Sequence, residues 1–471
     1  MPSSKSGFGS SSGHVQPLVI SVLGTPIPNT PHAVSVCLPT WQDNVDYEEG
    51  LPRVHSALRS GYPRFVYHKS VRALFALCLG QLSKPGPGPG DDPEDCLVFP
   101  SLRVATECRE FILKLAPEGS KVLGDHSLVR IEATRLNGVS LSVVVFPKSL
   151  ARTAKHFWQH SGEIPSSRLA EFACRKGQNP SESEELDEYV EEHYGRNMSW
   201  SSASGARNAL RRRISDASGE AKQNVFLFPC GMSAIYNAHR FLRKVIPGLK
   251  AVQFGFPYLD TLMIVQKFGA GGHFFGQGDE ADLDQLEKLL ETEKIMGLFC
   301  EFPSNPLLKC ANLGRLRELA GRHSFPIVID DTLGTFKNID VLPFADIVVT
   351  SLTKVFSGDS NVMGGSMVLN SKGKHYNAIF EVVQRDYEDL LWSQDAVFLE
   401  RNSRTFGDRV QRINENTEKI CEFLRAHPKG AFACSVFSSS SFGPAVLTSL
   451  ISNQSREYIT PNSTIARYST R

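Results

Sequence analysis

Between Asn224 and Leu369 the chain switches repeatedly between short β-branched or aromatic runs and amphipathic segments, and this alternation limits the fold more than any other feature. NVFLF, AVQFGF, GLFCEF, PIVID, DIVVTS and GSMVL each have the length and composition of a strand. AIYNAHRFLRKVI, DLDQLEKLLETE and LGRLRELAGRH carry apolar residues at i, i+3 and i+4, the spacing of a helix with one buried face. Strands joined through helices pair in parallel and are covered on both faces, so the region predicts a mostly parallel α/β sheet. Such sheets bind ligands at the carboxyl ends of their strands. Chemistry is therefore sought in the loops just after these runs.

Five of those loops carry suitable side chains. DIVVTS runs into SLTKVFSGDSNVMGG, where Ser351, Thr353 and Lys354 share one turn. Two hydroxyls beside an amine suit a phosphate with a neighbouring aldehyde, since hydroxyls donate to the phosphate while the amine condenses with the carbonyl. PIVIDDTLGTF places Asp330 and Asp331 at a strand end, where a carboxylate needs a cationic partner such as a protonated pyridine nitrogen. FPCGMSAI turns at Gly231 into a helix beginning near Met232, and free amides at a helix start bind phosphate. FGFPYLDT offers Tyr258 as a ring to stack on a flat heterocycle, and EFPSNPL sets Asn305 between two prolines. Each loop alone has an ordinary alternative: a solvated lysine, a turn-capping aspartate, a common strand-glycine-helix turn, a packing tyrosine, an Asx turn. All five in this order are hard to explain as packing.

The rest of the chain bounds the setting. A formal net charge of +1 gives no field that draws the protein to nucleic acid or an anionic membrane, and no apolar run reaches the roughly 20 residues of a membrane helix. The ten cysteines form no CxxC pair and no cluster at zinc spacing. With no signal peptide read at the start, they are expected as reduced thiols in a cytoplasmic protein. Residues 1–14 are Ser/Gly-rich and expected to be disordered. Residues 15–180 alternate apolar runs and loops without a catalytic motif, and PGPGPGDDPED (Pro85 to Asp95) reads as an exposed linker. An acidic stretch, Ser181 to Arg196, and a basic one around Arg211, Arg212 and Arg213 read as two solvated helix faces. From about His375 to His427 the chain reads as helical, and residues 435–471 form a Ser/Thr-rich tail without a period.

YGRN, FPCGMSAI, FGFPYLDT, EFPSNP, VIDDT and SLTKVFSGDSNVMGG together resemble the Cys/Met-metabolism family of pyridoxal phosphate (PLP) enzymes. AVSVCLPTWQDNVDYEEG and SGYPRF resemble the N-terminal region of its fungal-type cystathionine gamma-synthases. The resemblance spans roughly residues 15 to 430. It implies the PLP-dependent transferase fold type I, aspartate-aminotransferase-like, with a PLP-binding domain over 181–434. It also implies roles. Lys354 would hold the cofactor as a Schiff base and then shuttle protons, Asp330 would pair with the pyridine nitrogen, and Tyr258 would stack on the ring. Gly231, Met232, Ser351 and Thr353 would hold the phosphate, with Tyr194 and Arg196 reaching in from a neighbouring subunit of a dimer or tetramer. Asn305 would sit near the cofactor's phenolic oxygen. The implied reaction replaces the acyl group of an O-acyl-homoserine with the sulfur of cysteine, giving cystathionine on the route to methionine. Cystathionine β- or γ-elimination and direct sulfhydrylation of the acyl-homoserine are sister readings.

Two departures from the family pattern are small: Asp331 where many relatives have Asn, and Cys230 where a Ser often precedes the Gly-Met pair. A third is larger. Family members continue into a smaller domain that supplies the arginine for the substrate carboxylate, and after residue 434 no such domain is recognisable. The expected architecture is thus fold type I with its C-terminal domain cut short, and the competing function is a PLP-binding protein that does not turn over.

Overall fold

Short apolar runs bounded by Gly, Pro and Asp become strands where a second element covers them, and every run singled out after Asn224 does so. The computed structural model describes residues 22–82, 92–175 and 200–426. A small ribbon pairs β1 (Pro26–Ile27) with β2 (Ser35–Val36). Three antiparallel strands follow, β3 (Glu94–Phe99), β4 (Arg130–Leu136) and β5 (Val139–Pro147), in the order β3-β5-β4. The large sheet comprises β6 (Val225–Phe228), β7 (Ala251–Phe254), β8 (Gly272–Phe275), β9 (Gly297–Glu301), β10 (Ile327–Asp330), β11 (Ile347–Ser351) and β12 (Gly365–Leu369).

Its order is β6-β12-β11-β10-β9-β7-β8. Only β12 is antiparallel to its neighbours, and the remaining pairs are parallel. The carboxyl ends of β6, β7, β9, β10 and β11 therefore open on one edge. Alternation along the strands divides the core in two. Ile347 and Val349 join Phe226, Phe228 and the helix Gly231–Val245 on one face. Val348 and Val368 join the helices Glu280–Leu290 and Leu313–His323 on the other. This is the expected α/β architecture, helices on both faces of a mostly parallel sheet.

The N-terminal region shares that first core. Leu97, Phe99, Val143, Phe157 and Trp158 are contiguous with Phe226 and Phe241. The helix Ala151–Ser161 packs on Gly231–Val245 and on Leu259–Lys267. Polar contacts fasten the regions together: Glu163, paired with Arg103 at 2.8 Å, accepts from Asn237 at 2.7 Å, and Arg168 forms a buried ion pair with Asp395 at 2.9 Å.

Several expectations are corrected. Edge strand β8 is absent from the runs read as strands, because GHFF lies in a stretch with five glycines, Gly272 among them, and is only half covered. The stretch from His375 is three helices, Tyr376–Asp386, Ser393–Asn402 and Phe406–Ala426, broken where the Tyr387 backbone turns extended. The basic run is not simply solvated: Arg211 pairs with Asp389 at 2.9 Å and Arg213 with Glu400 at 3.1 Å. Residues 1–14, most of the Pro/Gly linker, the acidic stretch with Tyr194 and Arg196, and the tail from 435 lie outside the described residues.

Candidate active site

At the open edge of the sheet the loops are tied to one another in a closed circuit. Cys230, extended, starts the helix Gly231–Val245, whose first amides have no partner within the helix. Gly231 lies so close to β11 that a Cβ there would sit 2.7 Å from Ser351 Cβ and 3.1 Å from its Oγ. The Ser351 amide donates to Thr332 Oγ1 at 2.8 Å, and the Thr332 amide donates to Asp330 Oδ1 at 2.9 Å. Asp330 stands level with Glu301 across the parallel pair β9-β10. Glu301 accepts from the amide of Tyr258 and, at 3.2 Å, from that of Asn305. Tyr258 Oη accepts from Arg64 Nη2 at 2.7 Å. Arg64 lies over the ring of Tyr62, and Lys354 Nζ lies 4.6 Å from the centre of that same ring. Lys354 is three residues beyond Ser351, so the circuit closes.

Electrostatics distinguish the two aspartates. Burial pushes both carboxyls up from the ordinary range. Asp331 is turned inward, where one oxygen accepts from the Phe336 amide at 2.8 Å and the other meets Gly334, at which any Cβ would collide. It fixes the turn. Asp330 uses one oxygen on Thr332 and has no cation beside it among the described residues. Burial and the nearby charge of Asp330 push Glu301 up to about 8. Two neighbouring carboxyls desolvated at a strand end favour a positive partner between the loops. The Lys354 side chain is exposed, and its ammonium forms no ion pair among the described residues.

These features fit PLP. The helix start and the uncommitted Ser351 hydroxyl suit its phosphate, Asp330 its protonated ring nitrogen, Tyr258 its ring and Lys354 its aldehyde. The structure brings together Gly231, Met232, Ser351, Tyr258, Asn305, Asp330 and Lys354. Thr353 is the exception, since its buried hydroxyl accepts from the Gly364 amide at 3.1 Å and is returned to that residue's carbonyl. It braces the lysine turn, and the sequence could not say which of two neighbouring hydroxyls faces inward. Sequence reasoning passed over Glu301, Tyr62, Arg64 and Asp260 although each lies inside a quoted motif. A glutamate or arginine gives no sign in the sequence of which partner it will meet.

A family profile decides between this reading and a set of unrelated turns. The profile described as Cys/Met metabolism PLP-dependent enzyme matches residues 178–434, more than half of the chain. The chain belongs to that family. A second profile, the N-terminal domain of fungal trans-sulfuration enzymes, matches residues 70–166. A cystathionine gamma-synthase of Neurospora crassa is 38% identical over 86% of this chain and 80% of its own length. One of Saccharomyces cerevisiae is 36% identical over 83% and 78%. The cystathionine gamma-synthase-like enzyme iboG2 of Amanita muscaria is 37% identical over 90% and 79%. This family member is thus a PLP-dependent enzyme. No helix among the described residues is long and apolar enough to cross a membrane.

Proposed function

We propose that the chain is a cystathionine gamma-synthase, replacing the acyloxy group at Cγ of O-acetyl- or O-succinyl-homoserine, which leaves as the carboxylate, with the sulfur of cysteine. The observation that carries this is the closed circuit from Gly231 through Asp330 and Tyr258 to Lys354, in a chain similar along most of its length to enzymes of that name. Bound PLP supplies an electron sink that makes the Cα and Cβ protons of an attached amino acid acidic.

The residues do the rest. Gly231, Met232 and Ser351 hold the phosphate, and Asp330 holds the ring nitrogen in its protonated form. Tyr258 covers the ring and Asn305 its phenolic edge. Lys354 would hold the cofactor through its Nζ; when free, that Nζ would take protons from Cα and Cβ as the acyloxy group leaves Cγ as a carboxylate, and would return protons to both carbons after the cysteine sulfur, having given up its own proton, has bonded at Cγ. Tyr194 and Arg196 are assigned to the phosphate of a neighbouring subunit, which makes the working unit a dimer or tetramer. Residues 15–180 and 181–434 serve as the N-terminal and PLP-binding domains. We place the enzyme in the cytoplasm, a reading supported by the free state of all nine described cysteines.

Product analysis tests the reaction. Purified chain given O-acetyl- or O-succinyl-homoserine with both cysteine and sulfide is expected to release cystathionine; homocysteine alone would make it a sulfhydrylase, and no product would leave a binding protein. Lys354→Ala is expected to lose the visible absorbance of the lysine–cofactor link, and an unchanged band would remove Lys354 from its role.

A further inference from the structure

Tyr62 and Arg64 precede the helix Lys69–Leu82 and fall outside both matched segments, yet they lie against the two side chains on which the site depends. Arg64 is 2% exposed. Its Nη1 donates to Asp260 Oδ2 and to the Gln159 carbonyl, each at 2.6 Å, and its Nη2 donates to Tyr258 Oη at 2.7 Å. Asp260 is braced in turn by Gln159 Nε2 at 2.9 Å and by His160 Nδ1 at 3.1 Å. The guanidinium carbon lies 5.5 Å from the centre of the Tyr258 ring and 5.2 Å from that of Tyr62. Lys354 Nζ stands 4.6 Å from the Tyr62 centre, so one ring serves two cations.

The chemistry of these groups gives the contact a direction. A guanidinium has donors and no acceptor, so the Arg64 bond must use a lone pair of the phenol. The Tyr258 proton therefore points away from Arg64, and no other described group takes it. Burial of an Arg–Asp pair costs desolvation that packed apolar residues would not incur. Here that pair is spent on fixing one phenol and on lining the lysine with an aromatic ring.

We propose that Arg64 is a positioning residue for Tyr258, presenting the phenolic proton to the bound amino acid, and that Tyr62 walls the site over Lys354. The N-terminal region thereby completes the active site of its own chain. This rests on the assignment of Tyr258 and Lys354 to the cofactor site.

The test uses the full chain loaded with PLP and a double-substitution cycle. Arg64→Lys keeps a charge for Asp260, so the fold survives where a neutral replacement could fail. Borohydride trapping with mass spectrometry is expected to find PLP on Lys354 in the unsubstituted protein and in every variant. Arg64→Lys is expected to change the circular dichroism of the visible cofactor band and to lower kcat about tenfold while KM moves less than about threefold. Tyr258→Phe is expected to do the same, and the double variant to be no worse than Tyr258→Phe alone by more than about twofold. Tyr62→Leu is expected to speed attack of hydroxylamine on the lysine–cofactor link severalfold, while Tyr62→Phe, which keeps the ring, is not. Fully additive losses, or a band and kcat in Arg64→Lys unchanged beside a lowered melting temperature, would reduce Arg64 to a structural role and overturn the proposal. Absence of trapped PLP on Lys354 in the unsubstituted protein would instead overturn the cofactor site itself, and this inference with it.

Discussion

Gly231→Ala puts the phosphate cradle to a quantitative test. The added Cβ would lie 2.7 Å from Ser351 Cβ, 2.9 Å from its Cα and 3.1 Å from its Oγ, where ordinary contact begins near 3.4 Å. Two of those atoms cannot swing aside: Cα is backbone, and Ser351 is held in register with Gly365 of β12. The helix start must therefore retreat from β11 by roughly half an ångström, and overpacking of this kind costs about 1–3 kcal/mol. Alanine's better helix propensity returns less than about 1 kcal/mol. Retreat also moves the first amides of the helix away from Ser351 and places a methyl group between them. Losing one or two hydrogen bonds to a charged phosphate, at about 1.5–3 kcal/mol each, weakens PLP binding by about ten- to a hundredfold or more. Titration of cofactor-free protein with PLP by equilibrium dialysis reads the affinity, and urea unfolding reads the stability. Gly205→Ala is the control. That glycine is exposed on the helix Trp200–Ser218 with nothing within 4 Å of its Cβ, so alanine should stabilise by about 0.5–1 kcal/mol and leave PLP affinity alone. Gly231→Ala that loses stability yet binds PLP within twofold of the unsubstituted chain would refute the cradle.

Further outcomes follow from the buried charges. Glu301 stands at about 8 in the fold against an ordinary value near 4.5, raised first by burial and then by Asp330. The folded state binds that proton more tightly, so stability of the cofactor-free protein is fullest below about 4.5 and declines as the pH rises toward 8. Glu301→Gln should flatten the change in urea midpoint between pH 5 and pH 8 whatever its absolute stability; an undiminished slope would assign the titration elsewhere. Arg168→Met leaves Asp395 buried without its partner and should cost about 3–5 kcal/mol in urea unfolding, with a large part restored by adding Asp395→Asn. A loss under about 1 kcal/mol would mean that water already reaches the pair.

The sheet was legible because its strands are buried on both faces and read as uninterrupted apolar runs, whose order and helical connections leave little choice of topology. β8 was not, since an edge strand of four residues between glycines looks like the loops around it. The positions of Lys354, Asp330, Tyr258 and Gly231 at strand ends were legible for the same reason as the strands. Which neighbouring side chain turns inward was not: Asp330 against Asp331, and Ser351 against Thr353, are settled by contacts with Thr332, Phe336 and Gly364 that come from other turns. The N-terminal sheet escaped notice because its alternation is blurred where β5 is buried along most of its length. Arg64 and Asp260 lie 196 residues apart, and nothing local to either announces the other.

That distance bears on how the chain divides. A boundary near residue 180 separates two sequence patterns, and each has its own matched profile. The physical links cross it at the places that matter for chemistry. Glu163 pins Asn237 and with it the helix that begins at Gly231, while Gln159, His160 and Arg64 pin Asp260 and Tyr258 in the loop after β7. The helix that begins at Gly231 and the side chain of Tyr258 are thus both oriented from the N-terminal side, and the apolar face of the large sheet that bears Phe226 and Phe228 is covered from there too. The N-terminal region acts as the second half of the scaffold around Tyr258 and Lys354, and variation within it is expected to tune the reaction proposed for Lys354.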